Sequence, residues 1–220
     1  MKEKLFTLLF MAGVAALFTT GVSAVHMVTR RRVELNRELA EKRVVLDVLD
    51  VETPKWAQLE EIARIYEKHI VKTDMTIRTE TGTVPLLKAV TEDGEPMGYV
   101  FKVAGRGFWD TVRGYMAVEP DLKTIRGLSF YEQSETPGLG AEITKEWFEK
   151  QFEGLVIPDE AGRDDQLVGV VRPEAEAGPH EVHGITGATG TSNAVERLLN
   201  NTLRAFQQTV RSERGLQRGS

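Results

Sequence analysis

From Leu5 to Val28 the chain runs for 24 residues without a charged side chain, and no other stretch of its 220 residues limits the folding options so tightly. As a helix this run measures about 36 Å, enough to cross a hydrocarbon core of about 30 Å. Two readings follow. Lys2 and Lys4 precede the run and Val22-Ser23-Ala24 resembles a small-residue cleavage site, which fits a signal peptide. The apolar run is longer than an ordinary signal core and continues past Ala24, which favours an uncleaved membrane anchor over residues 1–32. The positive-inside rule, applied to Arg30, Arg31 and Arg32 against Lys2 and Lys4, would put the C-terminal part in the cytoplasm.

Behind the anchor, Leu35, Leu39, Leu46 and Leu49 recur at near-helical intervals, and Leu59, Ile62, Ile65, Tyr66 and Ile70 form a second apolar stripe. Thr53-Pro54 separates them, with Pro54 suited to open the second helix. Residues 33–70 thus read as a helical stalk or packing segment. From residue 71 the pattern turns to short β-like runs: Thr76–Thr79, Val84–Val90, Met97–Val103, Tyr115–Val118 and Ile125–Tyr131, with turns at Glu92-Asp93-Gly94-Glu95 and Glu119-Pro120-Asp121. Such a meander predicts an antiparallel sheet. Ile143–Phe152 reads as a helix and Leu167–Val171 as a further strand. The domain is read as 71–210, with 211–220 a flexible polar tail.

Composition removes several functional classes. There is no Cys, so disulfides, cysteine nucleophiles and Cys-ligated zinc or iron–sulfur centres are excluded. Net charge is −5 with no basic stripe, which argues against a nucleic-acid partner. The four histidines are scattered without metal-ligand spacing. No acid/base pair, triad or GxGxxG after a strand is apparent, so no catalytic residue is assigned.

Three stretches remain. Residues 183–192, His183-Gly184-Ile185-Thr186-Gly187-Ala188-Thr189-Gly190-Thr191-Ser192, are small and hydroxyl-rich, and lead into a helix with Ser192 or Asn193 as the expected N-cap. A helix N-terminus offers amide donors and a positive dipole end to phosphate, although such loops are also ordinary caps. Gly105-Arg106-Gly107-Phe108-Trp109 lies between two strands, where Trp109 could line a pocket or simply be a core aromatic. Ser134-Glu135-Thr136-Pro137-Gly138-Leu139-Gly140 presents backbone groups, the Thr136 hydroxyl and the apolar Leu139; the plainer alternative is a strand-to-helix connection with a solvated Glu135.

Thr186-Gly187-Ala188-Thr189 resembles the flavinylation motif of the FMN-binding domain family, with His183 standing where the motif more often has Asp. The order membrane helix, G-x-G-F-W, E-T-P-G-L-G and T-G-A-T-x-T-S is similar to the flavin-carrying subunits of sodium-translocating NADH:quinone reductases. Trp109 favours these over the Rnf-type relatives. The resemblance implies an α+β fold, in which the N-terminal transmembrane helix precedes a mainly antiparallel twisted sheet flanked by helices. It also implies FMN bound covalently through its phosphate to Thr189 by a flavin transferase, with Thr191 a nearby alternative acceptor. Thr186, Gly187, Ala188, Glu135, Thr136, Gly138, Leu139, Gly140 and Trp109 would surround the cofactor. The implied role is electron carriage within a membrane complex that oxidises NADH, reduces quinone and moves sodium. The implied partners are the other membrane subunits and lipid, with the flavin domain on the periplasmic side of a bacterial inner membrane. Alternatives are an Rnf-type or stand-alone extracytosolic flavoprotein, or a flavin-free assembly protein.

Overall fold

The computed structural model describes residues 2–54, 56–159 and 166–218. The first helix, α1, spans Lys2–Asp47 without a break, and its first 37 residues are exposed throughout. It is long and apolar enough to cross a membrane. The anchor and the first part of the stalk are therefore one rod. α2 (Leu59–His69) begins five residues after Pro54, later than the proline predicts, because Ala57 first donates to the Pro54 carbonyl at 3.0 Å in a turn.

Five strands follow in chain order, each antiparallel to the next: β1 (Ile70–Thr79), β2 (Gly82–Val90), β3 (Pro96–Arg106), β4 (Thr111–Val118) and β5 (Ile125–Glu132). The meander is as the sequence predicts. β1 starts earlier than its expected strand and takes Ile70 from the second apolar stripe, pairing it with Ala89. The region read as one helix over 143–152 is broken into a 3₁₀ turn (Gly140–Thr144), α3 (Glu146–Glu149) and another 3₁₀ turn (Lys150–Phe152). The break falls at Lys145, whose backbone is extended (φ −93, ψ 140), and it lets Ile143, Phe148 and Phe152 all reach the core. β6 (Gly169–Val171) and β7 (Glu181–His183) form a small parallel pair, and β7 carried no strand signal in the sequence. The last helix, α4, spans Thr189–Arg218, so the segment expected to be a tail from 211 is helical through Arg218; residues 219 and 220 lie outside the described residues.

Side-chain alternation gives the sheet two different faces. Leu86, Phe101, Val103, Met116, Leu128 and Phe130 point to one side, against Val195, Leu198, Leu199, Leu203 and Phe206 of α4. The rings of Phe101 and Phe206 stack at 4.8 Å. Leu87, Ala89, Val100 and Ala117 point to the other side, where they meet Val45, Val48 and Leu49 at the end of α1. The result is three layers, with the sheet between α4 and the α1–α2 pair.

Candidate functional site

The expected loops converge at the end of the sheet where β3 turns into β4 and β5 finishes. Gly107 donates to the Asp110 carbonyl at 2.7 Å, closing the turn that presents Phe108 and Trp109. Both rings are exposed, at 57% and 65%, and meet edge-on at 5.2 Å. Trp109 is therefore not a core aromatic.

Glu135 joins the three stretches. It is only 5% exposed, against the solvated side chain one reading allowed. One carboxylate oxygen accepts from the amides of Phe108 (2.9 Å) and Trp109 (3.1 Å), while the other accepts from the Thr191 hydroxyl at 2.6 Å. A carboxylate out of water is costly unless its acceptor sites are filled, and these three donors fill them. Thr136 receives the indole N–H of Trp109 at 3.2 Å, and its carbonyl accepts from Leu139 and Ala141, both at 3.1 Å. Gly138 stands in the left-handed region (φ 73), which a side chain would strain.

α4 begins at Thr189, one turn before the expected cap. Ser192 does not cap it; its hydroxyl accepts from the Ile185 amide at 3.1 Å while its own amide donates to Ala188 at 3.0 Å. The turn from Ile185 to Ala188 is closed by a 3.0 Å bond, with Gly187 at φ 75. Thr191 and Ser192 are consequently buried and spoken for, whereas Thr186, Gly187 and Thr189 are exposed. Of the two candidate acceptors, only Thr189 offers an accessible hydroxyl, and it sits on the first turn of a 30-residue helix. Gly187 leaves room beside Leu139, which a Cβ would approach to 3.2 Å, and Gly190 leaves room beside the Phe108 ring. Thr186, Gly187, Thr189, Leu139 and the Phe108–Trp109 pair thus border one surface. Ala188 (8% exposed), Thr191, Glu135 and Gly140 lie beneath it. Gly140 is required there because a Cβ would collide with the Thr191 hydroxyl and the Glu135 carboxylate.

Sequence reasoning missed three supporting groups. Phe108, within the G-F-W turn, packs on Gly190. Gln133 accepts from the Glu135 amide at 2.5 Å. Gln151 brackets His183 by accepting from its amide (2.9 Å) and donating to its carbonyl (3.2 Å). Only Phe108 carried a sequence signal.

A second concavity, about 810 Å³, lies between the end of α1 and α3 and is lined by Asp47, Asp50, Glu119, Arg126, Glu146 and Glu149, among others. None of the expected cofactor residues borders it. Burial pushes Glu149 up to about 7, with the Asp47 charge adding to the rise and the Phe130 amide and Ser129 hydroxyl opposing it. Among the described residues no group of three or more His, Asp or Glu could hold a metal ion.

Residues 107–204, the span from the G-F-W turn into α4, match the FMN-binding domain family. The chain is 33% identical over 125 residues to the C subunit of the Na(+)-translocating NADH-quinone reductase of Yersinia pestis, covering 56% of this chain and 46% of that one. It is 38% identical over 120 residues to the Vibrio anguillarum counterpart, covering 54% and 45%. The chain thus spans about half the length of these curated relatives. The crystal structure of the equivalent protein from Parabacteroides distasonis superimposes with a TM-score of 0.66 at 29% identity, over 81% of this chain and 96% of that one. The Shewanella oneidensis NqrC structure shares the fold, with a TM-score of 0.62 at 22% identity.

Proposed function

We propose, starting from a chain whose residues 107–204 carry an FMN-binding domain, that this protein is the FMN electron-transfer subunit of a membrane-bound Na(+)-translocating NADH:quinone reductase. The observation that carries the reading is the Glu135 hub. One buried carboxylate draws the Trp109 turn, the Glu135–Gly140 loop and the first turn of α4 into a single surface, and it leaves Thr189 as the exposed hydroxyl.

The residues present fit FMN. Thr189 would take the phosphate as an ester, beside the first-turn amides of α4, whose dipole favours negative charge there. Thr186, Gly187 and Ala188 would line the approach. Trp109, Leu139, Gly138 and the backbone of Thr136 and Gly140 would border the ring system, with Phe108 added to the expected set. Glu135 and Thr191 hold these loops in place from below. When bound, FMN supplies the redox chemistry, and the protein fixes its place and environment. A covalent link suits a carrier that works between partners without exchanging its cofactor.

The remaining parts of the reading concern the cell. α1 anchors the chain in the bacterial inner membrane, the domain faces the periplasm, a flavin transferase loads Thr189, and the other membrane subunits of the reductase give and take electrons. The identity of the relatives supports the periplasmic placement against the bias of Arg30–Arg32.

The test is flavin fluorescence of the denatured chain in a gel after co-expression with a flavin transferase, beside Thr189→Ala. Signal in the wild type alone supports the reading. Signal in both moves the attachment elsewhere, and signal in neither, with active transferase confirmed, overturns covalent loading.

A further inference from the structure

α1 does more than tether the domain, because its last three turns lie along β5 in a fixed register. At one end Gly127 packs directly against the Val48 backbone, and Arg126 donates to the Leu49 carbonyl at 3.3 Å. Further along, the Tyr131 hydroxyl donates to Glu41 at 3.1 Å. Further still, Arg37 pairs with Glu132 at 3.2 Å. Helix numbers fall as strand numbers rise, so the two run antiparallel. Eleven helical steps from Val48 to Arg37 rise about 16 Å and five strand steps from Gly127 to Glu132 about 17 Å, so the axes are nearly aligned.

Glu41 is the centre of this contact. Besides Tyr131 it accepts from the Tyr115 hydroxyl (3.1 Å), from Lys102 (3.4 Å) and, within the helix, from Arg37 (3.3 Å). The tyrosine rings stack at 5.8 Å, with the Lys102 ammonium 5.3 Å from one centroid and 5.9 Å from the other. Glu132 also pairs with Arg113 of β4. Bonds to three neighbouring strands fix a helix in rotation as well as in position, which apolar contact alone does poorly.

We infer that Glu41 and Glu132 are positioning residues, which clasp the membrane helix to β4–β5 so that the Trp109 turn and the 134–140 loop are held at the lipid headgroup level. The chain leaves β5 at Glu132 heading along α1 toward the membrane. Arg37 stands about 13 Å beyond the end of the apolar run at Val28, and Ser134 lies about 7 Å further toward it. That leaves the loop roughly 6 Å from the hydrocarbon edge, within a headgroup layer of about 5–7 Å. The exposed Phe108 and Trp109 rings share this end of the sheet, and aromatic side chains of this kind favour the interface. The opposite end, with the 91–95 turn, is directed away. The clasp rests on the proposed function only for its consequence, which is that a cofactor on Thr189 exchanges electrons with a partner in the membrane plane.

The chain has no Cys, so introduced labels are unique. The full chain, in nanodiscs, carries spin labels at Val33→Cys on the exposed stalk and at Ser134→Cys. Double electron–electron resonance should give one narrow distance distribution. Glu41→Ala with Glu132→Ala should at least double its width without a comparable loss in the thermal midpoint, and Glu41→Gln, which keeps an acceptor for the tyrosines, should fall between. In a second arm, a single label at Ser134→Cys should collide with a nickel-chelating headgroup lipid more often than one at Asp93→Cys. A broad wild-type distribution, an unchanged width in the double variant, or equal collision at the two sites would overturn the inference. Because the labels report without flavin, failed loading of Thr189 leaves this test intact.

Discussion

The sheet holds its two long helices by opposite means. α4 is held by hydrocarbon: Val195, Leu198, Leu199, Leu203, Phe206 and Val210 recur at helical spacing and each is at most 9% exposed. α1 is held by a few apolar residues at its very end and by a polar net centred on Glu41. Burial would raise the Glu41 carboxyl, but Lys102 and the two tyrosine hydroxyls outweigh it and hold it below its ordinary value. The same net, with burial the larger part, raises both tyrosines. An apolar seam supplies most of the stability and depends little on salt or pH. A polar seam adds less, and what it adds is direction. The cofactor surface combines the two, since its helix is seated by hydrocarbon and its loops are gathered by one carboxylate.

The contrast breaks most severely at the apolar seam. Phe206→Ala removes a fully buried ring and should cost about 3–5 kcal/mol, read as a large fall in the denaturation midpoint of the full chain. Glu135→Ala strands two amides and a hydroxyl in a buried site and should cost about 2–3 kcal/mol. Flavin attachment should fall more than stability does, because Thr189 keeps its helix but loses its surroundings. The comparison is covalent fluorescence per folded molecule.

Glu149 sharpens the contrast through pH. Its folded pKa of about 7 exceeds the ordinary 4.5, so the folded state holds the proton more tightly. The resulting stabilisation is full below about pH 4.5 and is lost as pH rises through 7. A thermal midpoint should therefore fall between pH 5 and pH 8, by about 2–4 °C for each kcal/mol lost, and Glu149→Gln should flatten that slope. At the polar seam, Tyr131→Phe deletes one hydrogen bond and should cost about 0.5–1.5 kcal/mol while loosening α1. The smallest effect belongs to the exposed Arg30–Glu34 pair. Arg30→Ala should change stability by no more than about 0.5 kcal/mol and vanish in high salt.

Much of this was legible in the sequence for a physical reason. The meander, the anchor and the α4 stripe are written as periodicities of two or 3.6, which local burial imposes directly. The convergence of the three loops was legible only through family resemblance, because nothing local ties Glu135 to Thr191, 56 residues away. The same applies to Glu41, which looked like one more charge on a solvated helix and instead meets residues 61 to 90 positions distant. The early start of α4 was missed because Thr191 and Ser192 have the chemistry of caps, and only the fold shows their hydroxyls turned to Glu135 and Ile185. The broken helix at 143–152 had the apolar content of a helix but not a single face, since its buried residues are spread by the extended backbone at Lys145.

The unbroken course of α1 from Lys2 to Asp47 carries a consequence of azimuth. A helix that leaves the membrane and docks without an intervening hinge transmits rotation as faithfully as height. Each residue added or removed between Val28 and Arg37 would swing the whole sheet by about 100° about the helix axis and move it by about 1.5 Å. Removing two would turn the Trp109 surface to nearly the opposite side of the stalk, whereas removing seven would nearly restore its heading one storey lower. The compass bearing of the domain around its own anchor is therefore counted out in residues.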